Sequence, residues 1–197
     1  MNGVSLMGTS IVAVVNTGDF HKKKNPDLIF SIYEKLSKGK GLLPPAIGFI
    51  FDSEKLSLKE KEDLMKKSNN KVIFLGRRMF ENYLLKPKAI LNVFENIPEL
   101  NSFSISESQI IDWLEKNKWD KKYIDQKLTK EKKDEIWLEQ VDGAKILASL
   151  FSDLTQQLLT FDKIKHSVSL CNWVIENSFE DLKDIQLILS STLHSSK

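Results

Sequence analysis

Three short, unbroken apolar runs, Ile11 to Val15, Ile47 to Phe51 and Val72 to Leu75, are separated by segments with helical spacing, and this order constrains the fold more than any other feature. After the first run, Asn25-Pro26 opens a segment in which Leu28, Ile29, Ile32, Tyr33 and Leu36 recur at the helical period. After the second, Ser57-x-x-Glu60 forms a capping-box signature that predicts a charged helix to about Lys67, and the "SNN" at 68–70 supplies a turn into the third. Strands that lack polar alternation and are joined by helices belong to a parallel sheet covered on both faces. The first 100 residues therefore predict a small α/β domain.

Ligands of such sheets collect at the carboxyl ends of the strands. Asn16 to Asp19, Asp52 to Glu54 and Gly76 to Arg78 all lie at these ends, so three polar strand tips are expected to share one crevice. In "GFIFDSE" the residues Asp52 and Glu54 are two apart, which on extended backbone places both on one side. Two convergent carboxylates suit a hard cation such as Mg2+ or Mn2+, which keeps waters and takes phosphate oxygens from a substrate. Acids also end strands without any ligand. Arg77 and Arg78 just beyond the third run would neutralise phosphates or orient the acids, or would sit at the surface of a turn; Glu81 in the next turn is close enough to join the acid cluster.

The period changes in the second half. From about Ser106 the apolar residues follow helical spacing, through Ile110, Ile111, Trp113 and Leu114, then Ile136 to Leu159, then Val168 to Leu189, so residues 101–197 predict an all-helical region packed on the first domain. The charged stretch from Glu115 to Glu135 carries Trp119, Tyr123, Ile124 and Leu128; it fits either a helix that turns its aromatic residues inward or a basic strip that binds nucleic acid. The tail from Ser190 reads as a frayed end.

Several chemistries find no support. The net charge of +2 argues only weakly for a nucleic-acid partner. There is neither a phosphate-binding G-x-x-x-x-G-K-[ST] loop nor a G-x-G-x-x-G after a strand. His21, His166 and His194 lack zinc spacing, and Cys171, the only cysteine, excludes an intrachain disulfide and fits a small buried hydrophobe in a reducing compartment. The first 20 residues have neither a basic start nor an apolar run long enough for a leader or a membrane span, so the expectation is a cytoplasmic protein without a membrane partner.

Gly48 to Ile90 resembles the C-terminal Toprim-type region of AAA ATPases related to the overcoming-lysogenization-defect nucleases. In that family a strand ends in a D-x-D-like motif, an acidic helix follows, and the next strand runs into R-x-x-E-N-Y-L-L-x-P, which here spans Arg78 to Pro87. "WLEQVDGAKILASLF" and the segment from Ile164 to Leu189 are similar to the family's helical tail. The resemblance implies a Mg2+-dependent nuclease module in which Asp52 and Glu54 replace the D-x-D acids, Glu81 and Arg78 are the acid and arginine of the signature, and Arg77 with Lys22, Lys23 and Lys24 holds phosphates. The implied substrate is nucleic acid, with DNA favoured over RNA. The run Ile11 to Val15 is similar to the family's second strand, and the glutamate expected on its first strand has no counterpart, since no Glu occurs before Glu34. The alternative is therefore a degenerate, non-catalytic Toprim-like module that binds an ATPase partner, a second copy of itself or nucleic acid.

Overall fold

The computed structural model describes residues 48–53, 56–124 and 134–194; the run Ile11 to Val15, the helix opening at Asn25-Pro26, Lys22 to Lys24 and Glu54 lie outside them. Among the described residues the protein is an α/β chain, mostly helical, with one two-stranded parallel sheet and seven α-helices. They divide into two compact units.

One unit contains the sheet. Strand β1 is Phe49–Phe51 and β2 is Val72–Phe74, paired in parallel with Phe49 opposite Val72 and Phe51 opposite Phe74. Both are shorter than their apolar runs. Helix α1, Leu58–Lys67, connects them and starts where the sequence places it, because the Ser57 hydroxyl accepts from Glu60 N while the Glu60 carboxylate accepts from Ser57 N. Its end is set by Asn69 and Asn70 at φ 52 and 60, a left-handed conformation that asparagine tolerates. The Ser68 hydroxyl then accepts from Val72 N at 3.0 Å and so aims the chain into β2.

The other unit is helical. A 3-10 turn at Phe80–Tyr83 leads to α2, Pro87–Glu95, whose proline occupies the first turn where no amide donor is needed. Helix α3 is Glu107–Asn117, opened by a Ser106–Gln109 capping box. The predicted helix from Ile136 to Leu159 is in fact two helices with an end cut short. Asp142 caps a new start by accepting from Lys145 N, which divides the span into α4, Asp134–Gln140, and α5, Gly143–Leu154. Gln156 and Gln157 at φ 50 and 67 then turn the chain out of α5. The last periodic segment is likewise divided, into α6, Lys165–Asn177, and α7, Lys183–His194, by a 3-10 turn at Phe179–Leu182; from Gln186 onward α7 belongs to the unit that contains the sheet. Helix α7 continues through Ser190 to His194, so the tail read as frayed is helical that far. Tyr123 and Ile124 are buried, which favours the inward reading of their charged stretch.

The core of this unit lies where α2 packs against α3 and α6, and it is filled by Ile90, Val93, Phe94, Ile110, Leu147, Leu150, Phe151, Leu170 and Val174. His166 belongs to this core. It is 4% exposed, its ring lies 5.1 Å from that of Phe151, and its Nδ1 accepts from Asp162 N at 2.8 Å. Burial pushes the imidazole below its ordinary value; the Asp162 carboxylate opposes this and the Lys165 ammonium adds to it. A histidine lowered by folding keeps its full stabilising effect above the unfolded value of about 6.5 and loses it as pH falls from there through the folded value. The urea midpoint should therefore drop more between about pH 7.5 and 5.5 than it does in His166→Gln. Equal drops in both proteins would show that His166 does not carry the acid sensitivity.

Candidate functional site at the strand tips

Strand β1 delivers Asp52 and Ser53 directly into the helical unit, to which Leu75 and the following turn also belong. The Ser53 hydroxyl donates to Leu75 O at 2.5 Å, and Asp52 Oδ1 accepts from Phe80 N at 2.9 Å. Both bonds join the tip after β1 to the segment after β2. Two of the three expected polar tips are thereby brought together, with Asp52 fixed to the residue that precedes Glu81.

The signature turn is then drawn inward. Glu81 is 6% exposed and its Oε1 meets Lys163 Nζ at 2.7 Å. Arg78 is 3% exposed, donating from Nη1 to Gln140 O at 2.9 Å with Nη2 3.7 Å from Asp142 Oδ2, while its buried Nε has no hydrogen-bond partner among the described residues. Arg77 donates to Asn82 O at 2.9 Å, lies 4.4 Å over the Tyr83 ring and has Nη2 3.8 Å from Asp181. The two arginines read from sequence as phosphate ligands are thus bound to carbonyls and carboxylates of this chain. Arg78 is no surface residue of a turn, and a buried guanidinium needs such partners to offset its lost hydration; Arg77 is half-buried.

Asn82 closes the turn. It is fully buried, its Nδ2 donates to Leu138 O at 2.6 Å and Val141 O at 3.0 Å, and its Oδ1 accepts from Gly143 N at 3.0 Å. Tyr83, also fully buried, donates its hydroxyl to Asp184 and accepts from Arg77 N at 3.2 Å. Burial first, and then the hydrogen bond to Asp184, hold this phenol protonated well above its ordinary value. Lys163, Asp142, Asp184 and the structural role of Asn82 were not legible in the sequence. Asp142 before Gly143 carries a cap signal, but nothing local pairs it with a residue some 60 positions earlier.

A metal ion is tested by its donors. Among the described residues no group of three or more His, Cys, Asp or Glu is placed to hold one. The two described carboxylates of the candidate site, Asp52 and Glu81, have an amide and an ammonium as neighbours, so they do not by themselves form a cation centre. No helix among the described residues is long and apolar enough to cross a membrane. No family model, curated protein or solved structure matches the chain.

Proposed function

We propose that this chain is a non-catalytic, Toprim-like binding module whose partner is an ATPase of the kind that carries such a region in the family it resembles. The observation behind this reading is that the polar residues of the R-x-x-E-N signature are spent inside the fold. Arg78 holds the 140–142 turn, Glu81 holds Lys163, and Asn82 holds Leu138, Val141 and Gly143. A phosphate-cutting site needs its charged groups available to substrate and metal, whereas a scaffold needs them paired. Here they are paired.

A second reading, a Mg2+- or Mn2+-dependent phosphodiesterase acting on nucleic acid, draws support from the bond between Asp52 and Phe80 N, which seats the strand-tip acid beside the Glu81 turn. On that reading Asp52, Glu54 and Glu81 would hold the cation, which supplies an activated water when bound. Arg77 and Lys22 to Lys24 would lie toward the phosphates.

Calorimetric titration with Mg2+ and Mn2+ separates the two. The native chain is expected to give no saturable heat that an Asp52→Ala, Glu54→Ala double variant removes. Saturable binding that the double variant abolishes, with DNA or RNA cleavage lost in Glu81→Ala, would overturn the binding-module reading in favour of the enzyme.

A further inference from the structure

Helix α6 has two apolar faces. His166, Leu170 and Val174 are buried, while Ile164 just before the helix is 76% exposed, Val168 is 57% exposed, and Cys171 and Ile175 are half-buried. The steps from 164 to 168, 171 and 175 are four, three and four residues, which is the alternation of a coiled-coil seam and keeps all four side chains within an arc of about 60°. Exposed Phe179, at 36%, follows them. Lys165 at the amino end and Glu176 at the carboxyl end flank this stripe on the same side, and both are exposed.

We propose that a second copy of this chain docks on the stripe, α6 against α6, with the two helices antiparallel. Charge chooses both the occupant and the direction. In an antiparallel pair each Lys165 lies beside the partner's Glu176, and the two helix dipoles oppose, whereas a parallel pair aligns the dipoles and puts the two charged flanks on opposite sides, so that neither Lys165 meets a Glu176. Matching the stripes places Ile164 against the partner's Ile175 and Val168 against the partner's Cys171. The two-fold axis then passes between residues 169 and 170, so the two cysteines stand three residues apart along the helices, roughly 4.5 Å. With the helix axes about 8–10 Å apart and each Cα about 2.3 Å off its axis, the two Cα atoms lie roughly 5.6–7 Å apart, at the upper end of the separations, up to about 6.8 Å, that a disulfide tolerates. A seam of 13 helical residues is about 20 Å long and lies at the small end of interfaces, so association should depend on concentration. This contact goes beyond the preceding reading and does not depend on whether the strand tips bind metal.

The test is sedimentation equilibrium of the full chain together with oxidation by copper–phenanthroline and dioxygen, which joins two thiols by removing two electrons and two protons. A reversible dimer is expected, with a Cys171–Cys171 crosslink on a non-reducing gel. Val168→Asp, on an exposed position that leaves folding intact, should weaken the dimer by about tenfold or more. Lys165→Glu should also weaken it, and Lys165→Glu with Glu176→Lys should restore it. A chain that stays monomeric, a dimer indifferent to Val168→Asp, or a dimer not rescued by the charge swap would each overturn the proposal.

Discussion

Replacing Asn82 with alanine is expected to cost roughly 3 to 5 kcal/mol of folding stability, because each buried polar group left without a partner costs about 1–3 kcal/mol. The side chain is fully buried and joins three backbone groups, Leu138 O, Val141 O and Gly143 N, and its bonds to Val141 O and Gly143 N are buried, so those two groups lose their partner away from water once the amide is gone. Gly143 explains why this lock requires two residues at once. A Cβ there would stand 3.0 Å from Asn82 N and collide with Asn82 Oδ1, so Gly143→Ala should cost about 2 kcal/mol by overpacking. The added methyl would enter space that Asn82→Ala vacates. The double variant should therefore lose clearly less than the sum of the single losses. Urea unfolding of the four proteins measures the cycle. A loss below about 1 kcal/mol for Asn82→Ala, or strict additivity, would show that the signature asparagine does not hold the turn to α5.

Phe151→Ala should be of comparable size, about 3–5 kcal/mol, as expected for removal of a large buried ring. The ring is fully buried on α5, edge-on to Phe94 at 4.7 Å and to Phe161 at 5.1 Å, with His166 at 5.1 Å. It thus joins α2, α5, α6 and the segment after α5 in one cluster. Phe151→Leu keeps most of the volume and should cost about 1.5 kcal/mol or less. Against a typical total of about 5–15 kcal/mol, the alanine variant removes about a fifth or more of the stability. A urea midpoint that hardly moves would mean that the cluster is not the core of the helical unit.

The Asn82 variant also bears on function. If the signature serves the fold, as the internal pairing of Arg78, Glu81 and Asn82 supports, then substituting it lowers stability before it changes any activity. The same residues in an enzyme would show the reverse order.

Local rules were enough for part of this protein. The Ser57–Glu60 capping box, the proline that opens α2 and the asparagine turn before β2 all depend on residues within a few positions of one another, and sequence displays such neighbours directly; the parallel reading of "GFIF" and "VIF" followed from the helix between two unalternating runs. The sequence also determined that Asp52 would stand at a strand end and Glu81 in the turn after the next strand. Only the tertiary structure decided what these groups touch. Lys163 reaches Glu81, Gln140 and Asp142 receive Arg78, and Asp184 accepts the hydrogen bond of the Tyr83 hydroxyl, over separations from about 60 to 101 residues. A carboxylate or guanidinium in a sequence is equally fit for a metal, a phosphate or a buried counter-charge. Its desolvation when the helices close over it, and the partner found at that moment, choose among these.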